Sequence, residues 1–269
     1  MTDEELEDKM WGVKYMPQFK GKKAYVLGGA FFGSCVELMA EAGFERAGSV
    51  EEADVVVFIG GVDINPALYS QQPIQQTQTP SKVRDMFEQE VFNKCVEQKK
   101  VMFGICRGAQ LLHALNGGEL WQHVEGHAGP DHLIYDIEED VFIDATSLHH
   151  QMLALNADID VIAVTKDQVS SVFHSADMIV DLGREGANSD VEIEIEAGSY
   201  LMTRCFFVQG HPEIGSAEYR TWTMTKLKEF MEEVAEIDEG VEASREEEEA
   251  AQVVTEMDLW RTLGRALNP

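Results

Sequence analysis

Short apolar runs that stop abruptly at glycine are the feature that most restricts how this 269-residue chain can fold. Residues 54–59 (DVVVFI) are mostly β-branched and end at Gly60-Gly61, and residues 100–105 (KVMFGI) run directly into a helix-favouring segment. A continuous apolar run without alternation is typical of a parallel strand that is covered on both faces. The sequence therefore predicts an α/β fold with a mostly parallel central sheet.

Strand and helix signals alternate along most of the chain. Residues 23–29 predict a strand and residues 32–42 a helix, and Thr79-Pro80 predicts the capped start of a further helix. The inward face of that helix is expected to carry Val83, Phe87, Val91 and Cys95. Later strand candidates lie at 141–143, 161–164, 178–180, 191–195 and 205–208. Because residues 191–195 alternate strictly, one face of that strand is expected to lie in water, in a smaller antiparallel part of the sheet.

Composition changes mark four regions. Residues 1–22 are a polar N-terminal arm, 23–235 hold the predicted α/β domain, 236–250 are an acidic linker, and 251–269 are predicted to form an amphipathic helix. The sequence leaves open whether this last helix docks on its own domain, binds a partner or associates with a second copy.

Charge and cysteine usage exclude several classes of function. The chain has 49 acidic and 21 basic residues and a net charge of −28, so attraction to nucleic acid or to an anionic membrane surface is disfavoured. No apolar run reaches the roughly 18–20 residues of a membrane span. Four widely separated cysteines predict reduced thiols. We therefore predict a soluble, cytoplasmic protein without nucleic-acid or membrane partners.

A possible nucleophile lies where the strand at 100–105 meets a helix. Residues 104–108 read G-x-C-x-G, in which two glycines would relieve the crowding of a sharp strand-to-helix turn around Cys106. The helix N-terminus favours the thiolate form of a cysteine at this position. By itself the motif favours a small buried cysteine at a tight turn over a nucleophile.

A base and an acid follow another predicted strand. His211-Pro212-Glu213 follows the predicted strand at 205–208 after two intervening residues. Strand ends of a parallel sheet meet at one edge, so His211 can serve as the base for Cys106 while Glu213 orients the imidazole. The tripeptide alone is a weak signal, whereas the two motifs together predict a triad of Cys106, His211 and Glu213.

Five ordered motifs identify a resemblance to a known family over residues 23–235. They are GGVDINPALY at 60–69, Arg84-Asp85, GICRGAQLL at 104–112 followed by GGEL at 117–120, SLHHQ at 147–151, and VQGHPE at 208–213. The chain resembles the class I glutamine amidotransferases, and among them the γ-glutamyl hydrolase-like branch that includes γ-glutamyl-γ-aminobutyrate hydrolases. The resemblance implies a flavodoxin-like three-layer α/β/α sandwich.

The resemblance also implies a reaction. Cys106 would attack the γ-amide carbonyl of glutamine or of a γ-glutamyl amine, and water would hydrolyse the resulting thioester with help from His211 and Glu213. The oxyanion would be held by backbone N–H groups of Gly61 and Arg107. The residues implied for substrate binding are Gly60, Gln110, Ser147 and Leu148.

One position departs from the family pattern. The family usually has an aromatic residue before the histidine of the last motif, whereas this sequence has Gly210. The departure concerns the packing around His211 and leaves the three triad residues intact.

Three functions remain open at this stage. A free-standing hydrolase would release its product to water. A glutaminase subunit would pass ammonia to a synthetase, and this acceptor would be a separate protein because the sequence contains no GK[ST] loop for ATP. A catalytically silent regulatory binding protein is the third alternative, which the intact Cys106, His211 and Glu213 disfavour.

No cofactor is predicted from the remaining motifs. His123, His127 and His132 match no standard metal-ligand spacing, so the sequence predicts no metal site. Residues 28–33 (GGAFFG) lack a glycine that a dinucleotide fingerprint needs. The glutamine-rich residues 70–78 are expected to form a solvated surface loop, with a lid over the site as the alternative.

Overall fold

The computed structural model describes residues 15–129, 131–182 and 193–241. The chain divides into two compact units, Met1–Lys228 and Glu229–Pro269, and the described part of the second unit is helical. The helix that begins at residue 217 continues to 241, so the first six residues of the predicted acidic linker are helical. The predicted helix at 251–269 lies outside the described residues.

The described residues alternate strands and helices along the chain. The strands are β1 (Lys23–Val26), β2 (Glu45–Arg46), β3 (Val55–Phe58), β4 (Val101–Ile105), β5 (Leu120–Trp121), β6 (His123–Val124), β7 (His132–Asp136), β8 (Val141–Ala145), β9 (Met152–Leu153), β10 (Asp160–Thr165), β11 (Val172–His174), β12 (Ile179–Asp181), β13 (Ile195–Tyr200) and β14 (Cys205–Val208). The helices are α1 (Phe32–Glu41), α2 (Lys82–Glu97), α3 (Arg107–Leu115) and α4 (217–241). Short 3-10 helices cover Pro66–Tyr69 and Pro212–Ile214.

The parallel part of the central sheet has the order β2-β1-β3-β4-β14. Every residue of β3, β4 and β14 is buried, as the unbroken apolar runs predicted. Strand order reverses between β1 and β3, and in open α/β sheets ligands bind beyond the carboxyl ends of the strands near such a reversal. The loops after β3, β4 and β14 carry the sequence motifs to this edge.

Antiparallel strands extend the sheet from β14 through β13, β10, β7 and β8, so the predicted mixed α/β fold is confirmed. A second sheet has the order β12-β11-β6. The prediction of a face in water at 191–195 is wrong for Glu194, whereas Ile193 beside it is exposed. Glu194 and Glu196 are only 2% and 1% exposed, because both carboxylates pair with buried histidines. Among the described residues, no helix combines the length and apolar character that a bilayer crossing demands.

Two predictions about helix α2 are wrong. Its N-cap is Ser81, not Thr79, and Val83 and Phe87 are 80% and 50% exposed. A four-residue repeat drifts by about 40° per step around a helix of 3.6 residues per turn, so Val83 and Cys95 cannot share one face. The buried face instead carries Asp85, Glu88, Val91, Phe92 and Cys95.

Candidate active site

Cys106 occupies a strained turn between β4 and α3. Its backbone lies at φ 52° and ψ −110°, in a region that residues other than glycine rarely adopt. A Cβ on Gly104 would approach the backbone of Ala109 to 2.9 Å, and one on Gly108 would collide with the carbonyl of Phe58. Both flanking glycines are therefore required by close backbone approach, as expected for a nucleophile elbow.

His211 and Glu213 follow β14 at the same edge of the sheet. The N–H of Cys106 bonds the carbonyl of Val208 at 2.9 Å, which ties the ends of β4 and β14 together. His211 Nδ1 donates to Glu213 Oε1 at 2.8 Å, and both side chains are buried. Burial alone would lower the pKa of His211, but hydrogen bonds to Cys106 and Glu213 outweigh it and raise the pKa to about 10. The structure thus brings the three predicted triad residues together, with the imidazolium favoured at neutral pH.

Helix α1 and its N-cap residue contribute two neighbours of the triad that the sequence motifs did not indicate. The Cys35 thiol is buried beside the Glu213 carboxylate, and burial together with this negative charge raises the pKa of the thiol. Phe31 lies edge-on against the His211 ring, with centroids 5.4 Å apart. Cys35 therefore belongs to the surroundings of the triad carboxylate. One feature could have indicated these two residues. Strand β1 precedes α1 and ends at the same sheet edge as the three strands that carry the motifs.

The glycine turn after β3 lies against His211. A Cβ on Gly60 would be 3.0 Å from the His211 Cε1 atom, and Gly61 has a φ of 156°. The Arg84 guanidinium donates to the carbonyls of Ile59 at 2.8 Å and Gly60 at 3.0 Å. In a trans peptide the N–H points opposite to the carbonyl, so the Gly61 N–H is directed away from Arg84.

A buried charge cluster supports this edge of the sheet from α2. The Arg107 guanidinium pairs with both Asp85 and Glu88, and Glu88 also accepts from Arg84 at 2.8 Å. Asp85 accepts a further bond from the Asn65 N–H at 3.1 Å. The Arg107 side chain is thus committed to this cluster, while its backbone directly follows Cys106. The only sequence sign of the cluster was the Arg84-Asp85 pair.

The residues predicted to bind substrate have different environments. Gln110 is buried on α3, where its N–H bonds the Cys106 carbonyl at 3.1 Å. The Ser147 hydroxyl is buried and donates to the backbone carbonyl of His127, whereas the side chain of Leu148 is exposed. The segment lies beside His211, whose N–H bonds the Thr146 carbonyl at 3.1 Å. Of these two residues only Leu148 is exposed, because Ser147 as a whole is 1% exposed.

The glutamine-rich loop is anchored rather than merely solvated. The fully buried Gln122 side chain donates to Gln71 Oε1 at 2.8 Å and to the Gln72 carbonyl at 2.9 Å, and it accepts from Thr77 at 2.7 Å. Gln78 is held by Asp63, which also accepts from His150 at 2.9 Å. Fixed hydrogen bonds at both ends therefore determine the course of residues 71–78.

The three histidines considered for a metal separate into two places. His123 lies beside His150, with ring centroids 5.8 Å apart. His127 and His132 lie next to Glu196, and these three residues offer ligand atoms within 4.8 Å of one another. His149, from the SLHHQ motif at 147–151, stacks on His127 with centroids 4.6 Å apart.

Tyr219 explains the glycine that replaces the family's usual aromatic residue. A Cβ on Gly210 would be 2.5 Å from the Tyr219 hydroxyl oxygen and 2.7 Å from the Thr146 carbonyl. The fully buried Tyr219, from α4, thus occupies the space beside His211 that a side chain at position 210 would need.

Gly210→Ala is expected to disturb the site through this crowding. The added methyl should cost about 1–3 kcal/mol of folding free energy, as overpacking in a core does, and kcat should fall because the adjacent His211 shifts. Urea unfolding and initial rates measure the two effects. Gly33→Ala is the matched control, because a Cβ on Gly33 in α1 meets no atom within 4 Å. If Gly210→Ala and Gly33→Ala had the same stability and the same rates, the crowding explanation would be contradicted.

The fold is that of a class I glutamine amidotransferase-like protein, and Cys106, His211 and Glu213 meet at one edge of its sheet. One solved structure of similar fold is PurLQS from Thermotoga maritima, with a TM-score of 0.54 and 14% sequence identity; the match covers 79% of this chain and 100% of that chain. At this identity the likeness shows the fold.

The chain belongs to the Peptidase C26 family, whose profile matches residues 32–213, so the resemblance predicted from the motifs is confirmed. It is 28% identical to Protein NtpR of Enterococcus hirae over 187 residues, or 61% of this chain and 69% of the relative. It is 30% identical to the γ-glutamyl-CDP-amidate hydrolase of Campylobacter jejuni over 122 residues, or 44% of this chain and 54% of that enzyme. The latter match thus spans about half the length of the relative.

Proposed function

We propose that the protein is a cysteine-dependent hydrolase that cleaves the γ-amide of glutamine or of a γ-glutamyl amine. The observation that carries the proposal is Cys106 at a strained elbow beside a hydrogen-bonded His211–Glu213 pair. Membership of a peptidase family and similarity to a γ-glutamyl-CDP-amidate hydrolase support amide-bond hydrolysis. The amine portion of the substrate is identified by assaying a panel of γ-glutamyl amines.

The geometry supports a two-step reaction. The Cys106 thiolate attacks the γ-carbonyl carbon, and the imidazolium of His211 gives its proton to the leaving amine as the C–N bond breaks. Water then attacks the γ-glutamyl thioester and transfers a proton to His211, and glutamate leaves as Cys106 is regenerated. Glu213 keeps the imidazole in one orientation through the 2.8 Å bond to Nδ1.

Backbone donors would stabilise the oxyanion of both steps. The Gly61 N–H is directed away from the Arg84 side of the turn, and the N–H of Arg107 follows the nucleophile at the start of α3. Removal of one such donor from another enzyme costs about 2.7–4 kcal/mol of transition-state stabilisation. Gly60, Gln110, the backbone of Ser147, and Leu148 are the proposed surroundings of the γ-glutamyl group.

A glutaminase subunit that passes ammonia to a synthetase partner is the second candidate. Val83, Met86 and Phe87 expose apolar side chains on α2, the helix whose Arg84 holds the glycine turn. Exposed apolar patches of this kind mark interaction surfaces. A partner bound there would contact the helix that positions the proposed oxyanion donor.

A substrate panel tests the proposal. The purified chain is incubated with L-glutamine, several γ-glutamyl amines and the α-amide isomer of glutamine, and free glutamate and amine are measured. We expect turnover of at least one γ-linked substrate and none of the α-linked isomer. Turnover only after a co-purifying partner is added would select the second candidate. No turnover and no trapped adduct with any γ-linked compound would overturn both.

A further inference from the structure

Two arginine side chains from different helices meet at the glycine turn after β3. A Cβ on Gly61 would collide with Arg84 Nη1 and would lie 3.3 Å from Arg107 Cδ. Arg84 comes from α2, and Arg107 is the first residue of α3. The two residues whose N–H groups are the proposed oxyanion donors, Gly61 and Arg107, are therefore adjacent, and the Arg84 guanidinium lies beside the first of them.

One buried carboxylate binds both arginines. Among the described residues, Glu88 is the acid that forms an ion pair with each of them: its Oε1 accepts from Arg84 Nε at 2.8 Å, and its Oε2 pairs with Arg107 Nη1. Glu88 is only 1% exposed, so water does not compete for these bonds. Hydrogen bonds between charged groups are strong and directional. The position of Glu88 on α2 thus fixes the two guanidinium groups relative to each other.

Arg84 transmits the position of Glu88 to the first donor. Its Nη1 donates to the Gly60 carbonyl at 3.0 Å and its Nη2 to the preceding carbonyl at 2.8 Å. The Gly60 carbonyl also accepts from the Ala30 N–H at 3.0 Å. These bonds restrict rotation of the peptide unit between Gly60 and Gly61, and the planar guanidinium makes its contacts in one fixed geometry. The Gly61 N–H, on the opposite side of the same unit, is restricted with it.

Arg107 transmits the same position to the second donor. Its Nη2 donates to Asp85 at 2.5 Å and its Nη1 pairs with Glu88, so the guanidinium is held on two sides. As the first residue of α3, Arg107 has a backbone N–H without an acceptor inside the helix. Cys106, directly before it, has a φ of 52°, and such strain persists only where the surrounding structure holds it. The buried ion pairs therefore restrain the peptide that joins the nucleophile to this donor.

We infer that Glu88, acting through Arg84 and Arg107, is a positioning residue for the oxyanion site. The inference rests on the proposed function, because the donors concerned belong to that reaction. Both N–H groups must lie about 2.7–3.1 Å from one developing oxyanion, which requires a fixed separation between them. Glu88 sets this separation because it holds the arginine at each donor. A displacement of about 1 Å can lower the rate about 10²-fold.

Glu88→Gln tests the inference with almost no change in side-chain volume. Glutamine has one acceptor oxygen, and its NH₂ group faces a guanidinium donor, so either Arg84 or Arg107 loses its bond. With a γ-linked substrate that the unmodified chain cleaves, kcat should fall about 10²-fold. KM should change little, because the oxyanion exists in the transition state and not in the bound amide. A purely electrostatic role predicts the opposite sign, since removal of a negative charge favours both the thiolate and the oxyanion.

Alkylation of Cys106 by iodoacetamide separates damage to the oxyanion site from damage to the nucleophile. The thiolate displaces iodide from a carbon atom, and no charge develops on a carbonyl oxygen, so this reaction needs no oxyanion donor. Intact mass follows the rate, and peptide mapping identifies the alkylated cysteine. Folded Glu88→Gln should be alkylated at Cys106 at close to the rate of the unmodified chain. Alkylation that slows as much as kcat does would place the damage at the nucleophile and overturn the inference.

Asp136→Asn is the matched control, because Asp136 on β7 is also a buried carboxylate with a cationic partner, Lys226 at 3.2 Å. It should lose stability but keep kcat. Unchanged kcat in folded Glu88→Gln, or an equal loss of kcat in folded Asp136→Asn, would overturn the inference.

A second variant decides if Glu88→Gln does not fold. Arg84→Lys keeps a positive charge beside Glu88 but lacks the planar fork that holds two carbonyls, so its kcat should also fall, and unchanged kcat would refute the inference. Absence of turnover of every γ-linked substrate by the unmodified chain would refute the proposed function itself, and the inference with it.

Discussion

Cys106→Ala is expected to lose turnover of every γ-glutamyl substrate by about 10⁴-fold or more, because loss of a nucleophile removes the covalent pathway altogether. Ammonia or amine release in initial-rate assays measures the loss. A glutamine-like electrophile should add one covalent group to the unmodified chain, detected by intact mass, and none to the variant.

A matched thiol control distinguishes chemistry from packing. Cys95→Ala removes a fully buried thiol from α2 and should retain turnover, although it loses some stability through the cavity left behind. Circular dichroism before the assay excludes unfolded protein as the cause of a lost rate. Turnover in folded Cys106→Ala within tenfold of the unmodified chain would refute the proposed nucleophile.

Arg107→Met is expected to lower the free energy of unfolding by about 3–5 kcal/mol. Methionine fills a similar volume but leaves Asp85 without a cation and Glu88 with only Arg84. Removing one partner of a buried ion pair leaves an uncompensated charge, which is far more costly than losing a surface pair. Urea or guanidinium unfolding, with the same m-value in both proteins, measures the change.

Two further variants test the electrostatic origin of this effect. Arg46→Met removes an exposed arginine from β2 and should change stability by no more than about 0.5 kcal/mol. Adding Asp85→Asn to Arg107→Met should recover part of the loss, since asparagine removes the charge and keeps an oxygen for the Asn65 N–H. A loss below about 1 kcal/mol in Arg107→Met, or no recovery in the double variant, would contradict the buried-charge explanation.

Local sequence patterns predicted the frame of the site correctly. The unbroken apolar runs at 54–59 and 100–105 became the fully buried strands β3 and β4. The glycines around Cys106 predicted the sharp turn, and its backbone angles confirm the elbow geometry. These features depend on residues adjacent in the chain, where strand periodicity and backbone sterics act without help from distant parts.

Patterns failed wherever a side chain found its partner in another element. The repeat on α2 suggested Val83 and Phe87 as inward residues, but Arg107 on α3 draws Asp85 and Glu88 into the interior instead. The alternation at 191–195 predicted a wet face, yet the glutamates meet histidines from distant segments.

The sequence by itself determined the strand ends, the elbow at Cys106 and the HPE motif, because local backbone sterics and strand burial depend on residues that are adjacent in the chain. Only the tertiary structure decided that Tyr219 occupies the space beside Gly210 and that the Cys35 thiol lies next to the Glu213 carboxylate. The tertiary structure also decided that the buried Arg107 pairs with Asp85 and Glu88. The physical reason is that burial of a polar group is tolerated only with a partner, and the fold selects that partner from elements far apart in the chain.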